Sequence, residues 1–137
     1  VESGTTVNLS PGAGRSTGIY AKDSAVITNK GTMNFAGSVG NIGAYAENYG
    51  TVYNEGALNM AGSDIMNDYY SIGMAARNAG KVVNKLGGVI NVTGNYGIGM
   101  FAEGAGSRAE NHGTINLMSS GELKGAYGMY LNNGAYG

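Results

Sequence analysis

A repeating phrase runs the length of this chain and leaves little choice of fold. It opens on a glycine followed by apolar and often aromatic residues: Gly18-Ile19-Tyr20-Ala21, Gly43-Ala44-Tyr45-Ala46, Gly73-Met74-Ala75-Ala76, Gly99-Met100-Phe101-Ala102 and Gly128-Met129-Tyr130-Leu131. Its middle is Asn29-Lys30-Gly31, Asn54-Glu55-Gly56, Asn84-Lys85-Leu86-Gly87 and Asn111-His112-Gly113. It closes on Val7-Asn8-Leu9, Met33-Asn34-Phe35, Leu58-Asn59-Met60, Ile90-Asn91-Val92 and Ile115-Asn116-Leu117. The opening glycines stand 25, 30, 26 and 29 residues apart. A self-similar period of this size marks a solenoid, and a propeller blade needs roughly 40 residues or more.

Within each repeat the polarity alternates with period two, which is the pattern of a strand with one face buried. In the closing segment an Asn stands between two apolar residues, so the apolar pair points in and the Asn out. In the middle segment Ile27, Val52, Val82 and Ala109 share a face with Asn29, Asn54, Asn84 and Asn111. Those amides either form an inward ladder or act as turn formers before Gly, and the two can coexist. In the opening segment Ile19, Ala44, Met74, Met100 and Met129 line the interior with Ala21, Ala46, Ala76, Ala102 and Leu131. Alternation sends Tyr20, Tyr45, Ala75, Phe101 and Tyr130 to the solvent side. Asp23, Asn48, Asn78, Gly104 and Asn133 follow at a turn that suits left-handed backbone. The expected fold is all-β: a right-handed parallel β-helix with about three short strands per 25–30-residue coil, four full coils and partial ends. Residues 1–137 are read as a single β-helical segment, a fragment of a longer array.

Composition narrows the function. Charged residues are 12% and hydrophobic residues 42%, a balance that argues against disorder. A net charge of −1 with no basic run excludes a nucleic-acid footprint. There are no cysteines, which fits stabilisation by repetition, and no apolar run reaches membrane-spanning length. His112, the one histidine, replaces Lys30, Glu55 and Lys85 at a turn; without a second His or a Cys it makes no zinc site. The carboxylates Asp23, Glu47, Glu55 and Glu103 are scattered one per coil, with no acid–base pair. No catalytic residue, metal or cofactor is therefore expected.

The candidate partner-binding residues lie on surfaces. Tyr20, Tyr45, Phe101 and Tyr130 form a broken aromatic stripe, the residue type enriched at interaction hot spots. Asp64, Asp68, Tyr69 and Tyr70 belong to the longest spacer, Ala61 to Tyr70. In solenoids, insertions collect at one corner and often form the binding face.

The lines Gly99-Met100-Phe101-Ala102, Asn111-His112-Gly113-Thr114-Ile115-Asn116-Leu117 and Gly128-Met129-Tyr130-Leu131 resemble the passenger repeats of type V autotransporters, nearest the large fusobacterial-type (RadD-like) outer-membrane adhesins. The resemblance implies a passenger secreted through a C-terminal barrel, with the membrane reached only through that barrel. It further implies a place on the bacterial outer surface and adhesion to a protein or glycan of host cells or other bacteria. A self-assembling fibre, or a polysaccharide-active β-helix enzyme, is the alternative reading.

Overall fold

A computed structural model describes residues 1–9, 15–36, 40–61, 70–119 and 125–137. All regular structure among them is β. The chain enters with β1 (Thr6–Leu9). The first coil is β2 (Thr17–Ala21), β3 (Val26–Asn29) and β4 (Thr32–Phe35); the second is β5 (Ile42–Glu47), β6 (Thr51–Asn54) and β7 (Ala57–Ala61). The third is β8 (Ile72–Arg77), β9 (Lys81–Asn84) and β10 (Val89–Thr93); the fourth is β11 (Ile98–Glu103), β12 (Arg108–Asn111) and β13 (Thr114–Met118), and β14 (Tyr127–Asn132) follows. Equivalent strands pair in parallel and build three sheets, β1-β4-β7-β10-β13 (sheet A), β2-β5-β8-β11-β14 (sheet B) and β3-β6-β9-β12 (sheet C). The molecule is a parallel β-solenoid of about four turns, the expected architecture.

The register follows the repeat residue for residue. Val7, Met33, Leu58, Ile90 and Ile115 form one column, and Leu9, Phe35, Met60, Val92 and Leu117 the next. Ile27, Val52, Val82 and Ala109 stack from sheet C. These columns meet the methionines and alanines of sheet B in one core that runs along the axis. The closing asparagines stand in single file on the outside of sheet A. Asn34 donates to Asn8 at 2.8 Å, Asn59 to Asn34 at 2.7 Å, Asn91 to Asn59 at 2.7 Å and Asn116 to Asn91 at 2.8 Å. The middle asparagines form a second file inside: Asn29 donates to Asn54, Asn54 to Asn84 and Asn84 to Asn111 at 2.8–2.9 Å. Ladder and turn coexist, because the Asn29 side chain also accepts from the Gly31 N–H at 3.3 Å.

The corner between sheets B and C is made by left-handed pairs. Asp23-Ser24, Asn48-Tyr49 and Asn78-Ala79 all have φ between 48° and 67°, as the short polar side chains at the first position allow. All length variation of the long spacers falls at the other end of sheet B, between the close of one coil and the opening of the next. Smaller extensions sit in the turns: Leu86-Gly87 in the third coil's turn from sheet C to sheet A, and one extra residue in the fourth coil's corner from sheet B to sheet C, between Glu103 and Arg108.

Candidate interaction surface

The opening glycine governs which side chains leave the tube. Strict alternation through β5 would put Ile42, Ala44 and Ala46 on one face. Instead Ala44 and Ala46 lie in the axial core while Ile42 and Tyr45 lie in a second cluster on the outside. The phase shifts at Gly43, which faces inward. A Cβ there would stand 2.5 Å from the Gly73 carbonyl oxygen and 3.1 Å from the Met60 sulfur. The same holds at Gly99, 2.5 Å from the Gly128 oxygen and from the Ile115 side chain. The column is glycine because the neighbouring coil's backbone and a large core side chain of sheet A already fill that space.

With the alternation displaced by one residue at the glycine, three columns then face outward from sheet B. Ile42, Ile72 and Ile98 form the first. Tyr20, Tyr45, Ala75, Phe101 and Tyr130 form the second. Glu47, Arg77 and Glu103 form the third, with Lys22 beside Glu47. The rings stack where they are adjacent: Tyr20 on Tyr45 with centroids 5.5 Å apart and planes 11° apart, Phe101 on Tyr130 at 5.8 Å and 7°. Ala75 interrupts the stack, and the Arg77 guanidinium lies 5.3 Å from the Phe101 centroid on the side of the gap. An open cavity of about 370 Å³ sits there, lined by Ile42, Tyr45, Tyr70, Ala75, Arg77 and Phe101 among others.

The third column alternates in charge and ties the rings down. The Tyr20 and Tyr45 hydroxyls both donate to Glu47, one to each carboxylate oxygen. Lys22 lies 3.6 Å from Glu47, and Arg77 lies 3.0 Å from Glu103. The hydrogen bond to Glu47 pushes the Tyr20 phenol up to about 12. Burial first, then the same carboxylate, pushes Tyr45 up. The Tyr20 hydroxyl in turn holds the Glu47 carboxyl below its ordinary value.

The expected solvent-facing stripe needs correction. Tyr20, 48% exposed, and Tyr130 face water, Tyr45 is half-buried, and Ala75 and Phe101 are buried, Phe101 at 8% exposure. All point away from the tube, but the adjoining isoleucine column makes an outer apolar layer into which the middle of the stripe sinks. Tyr70 is exposed beside the gap. Asp64, Asp68 and Tyr69 lie outside the described residues. The isoleucine column and Arg77 were not anticipated; the signal was present, since Ile42, Ile72 and Ile98 each stand one residue before an opening glycine.

The other two faces differ in chemistry. Sheet A presents its amide file between small residues such as Ala57 and Ala61. Sheet C presents charge: Glu110 lies 2.9 Å from Lys81 and 2.5 Å from Arg108, and Lys85 lies 3.3 Å from Glu55. Lys81 above all holds the Glu110 carboxyl below its ordinary value, with His112 at 3.5 Å also favouring the anion. Among the described residues no group of three His, Cys, Asp or Glu side chains is placed to hold a metal ion.

One family model, described as the BigA third pectate lyase-like domain, matches residues 38–137. No curated protein and no solved structure matches the chain.

Proposed function

This chain belongs to the BigA third pectate lyase-like domain family, and from that membership we propose that it is an adhesive and structural segment of a bacterial surface passenger. In this reading it is a stiff β-helical stalk on the outer face of the outer membrane, presenting a surface to a protein or glycan of host cells or other bacteria. The observation that carries the proposal is the unbroken register of both asparagine files across coils of unequal length. A rod of this kind resists bending because each coil's hydrogen bonds and core columns engage the next. Family membership and the solenoid fit passenger-type repeats, and kinship to RadD-like adhesins belongs to the same proposal.

The reading as a non-enzyme draws on electrostatics. A glycan-cleaving acid needs a carboxyl pushed up toward neutrality. Glu47 and Glu110 are both held down, each by donors that favour the anion.

The test is display of the chain on a bacterial surface through a heterologous anchor. Adhesion to epithelial cells or to bacterial partners above that of the anchor alone is expected, falling when Tyr20 and Tyr130 are both replaced by Ala. Adhesion equal to the anchor alone would remove the adhesive half of the proposal. Release of reducing ends from a polysaccharide panel by the purified chain would overturn the non-enzymatic half.

A further inference from the structure

Sheet A carries the outer asparagine file, and its outward positions differ from those of the other two sheets. Among the described residues no charged side chain stands on the outer face of β1, β4, β7, β10 or β13. Threonine, alanine and valine fill the column before the file, at Thr32, Ala57, Val89 and Thr114. Sheets B and C turn charge outward, as Glu47, Arg77 and Glu103 on one and Lys81, Arg108 and Glu110 on the other. Covering sheet A therefore takes no ion out of water, which is the largest cost of closing a polar face.

The file itself is only half used. An amide has two N–H donors and an oxygen with two lone pairs. Asn34, Asn59 and Asn91 each spend one N–H on the preceding coil and one lone pair on the next. One donor and one acceptor per coil are left for whatever lies outside, and they recur at the strand spacing of about 4.8 Å. A facing row of amides with the same rise matches at every coil once it matches at one, whereas an unmatched spacing drifts out of step along the rod. The face is therefore complementary to a copy of itself. Beside the file Ala36 and Ala61 leave an open groove of about 330 Å³, in which a facing side chain has room.

We propose that sheet A is a self-recognition face, and that its occupant is sheet A of a second copy of this chain. Sheets that meet face to face lie about 10 Å apart, and identical side chains stacked in register interdigitate across such a gap. The contact is isologous and closes at two copies, since each chain has one such face. Asn59 is the middle residue of β7, and β7 is the middle strand of the sheet. Full overlap therefore sets Asn59 against Asn59, whether the two rods run parallel or antiparallel. Five strands about 4.8 Å apart, each with about five residues at about 3.3 Å, give roughly 400 Å² per copy. The total of about 800 Å² is below the roughly 1,200 Å² at which stable complexes begin, so the dimer of this segment is weak and reversible. A polysaccharide is a poorer occupant, because among the described residues no exposed aromatic ring stands on this face for a sugar to stack on.

The chain has no cysteine, so one introduced thiol reports on one face. Asn59→Cys is compared with Val26→Cys on sheet C and Lys22→Cys beside sheet B, both at exposed positions. Each is oxidised in a mixture of reduced and oxidised glutathione, and the rate of disulfide-dimer formation is divided by that thiol's rate with a small aromatic disulfide. Asn59→Cys is expected to dimerise about tenfold faster than either control, because the contact raises the effective concentration of the facing thiol. Ala57→Asp with Ala61→Asp, added to Asn59→Cys, should remove the excess, since carboxylates then face carboxylates in either orientation, and salt should restore part of it. Circular dichroism and thermal unfolding should stay those of the parent. Sedimentation equilibrium of the unaltered chain should show monomer and dimer in exchange. Equal normalised rates, an excess that survives the two aspartates in a folded variant, or a monomer at the highest soluble concentration would overturn the proposal. So would growth beyond two copies, which would mean stacking at the ends, or retention on powdered cellulose or chitin at concentrations where the chain is monomeric. The inference does not depend on the adhesive reading: Tyr20 and Tyr130 lie on sheet B, and adhesion can fail while the dimer stands.

Discussion

The inner and outer asparagine files use the same residue, the same coil spacing and bonds of 2.7–2.9 Å. They differ in what surrounds them. Asn29, Asn54 and Asn84 are fully buried, and their amides also reach backbone: Asn54 donates to the Gly56 carbonyl at 3.2 Å and Asn84 to that of Thr114 at 3.3 Å. The files also run in opposite directions, the inner donating toward the next coil and the outer toward the preceding one. Inside, the backbone partners dictate the direction of the amide. Outside, water can stand in for either neighbour. The comparison teaches that the same ladder is a structural necessity on one side of a strand layer and a surface finish on the other.

The sharpest way to break this contrast uses two adjacent residues. Leu58 is buried in the axial core and Asn59 faces out. Leu58→Asp forfeits about 1.5–3 kcal/mol of burial and adds the cost of a buried charge, which is several kcal/mol even after relaxation. Against a total stability of about 5–15 kcal/mol, loss of soluble folded protein is expected. Asn59→Asp should remain folded, and equal damage from the two in a solubility and circular dichroism assay would refute the in/out assignment.

Gly73→Ala comes next. The added methyl would meet the Ile90 side chain and the Gly99 carbonyl oxygen, and backbone in the next coil cannot step aside. A loss of about 2–4 kcal/mol is expected by urea denaturation; a neutral result would mean the phase shift in sheet B is not held by this column.

The two files are then compared directly. Asn54→Ala strands the Asn29 amide and the Asn84 carbonyl in the core and should cost about 2–4 kcal/mol. Asn59→Ala should cost no more than about 1 kcal/mol. Equal midpoints in urea would show that burial does not separate them.

The smallest effect is at the surface. Tyr20 is pushed up to about 12 by the Glu47 carboxylate. A raised phenol contributes stability that is present below its unfolded value near 10 and fades as pH rises toward 12. Glu47 is depressed, so its contribution is present above the ordinary carboxylate range and fades as pH falls through its folded value. Both changes are slight because neither group is deeply buried. A phenolate absorbance titration should show one tyrosine ionising near 12 and returning toward 10 in Glu47→Gln; an unchanged curve would mean that the hydrogen bond is not populated.

Much of the fold was readable because a period-two strand with apolar-Asn-apolar admits one orientation, and repetition makes the neighbour of each residue its own equivalent. The candidate site was read less completely. Tyr20, Tyr45, Phe101 and Tyr130 were placed in one column pointing away from the tube, yet the burial of Phe101 depended on Ile98 beside it and Arg77 above it, residues on different columns. Alternation assigns a side chain to a face; it does not say how crowded that face is. The phase shift at the glycine column escaped the pattern for a related reason, since an inward glycine has no side chain with which to announce its direction.

Sequence alone determined the coil, its three strands, the position of each turn and the alignment of both asparagine files. Those follow from local chemistry multiplied by repetition. Tertiary structure decided which outward residues see water and which carboxylates are held as anions. These depend on distances between columns and between coils of unequal length, and such distances exist only once the chain has wound upon itself.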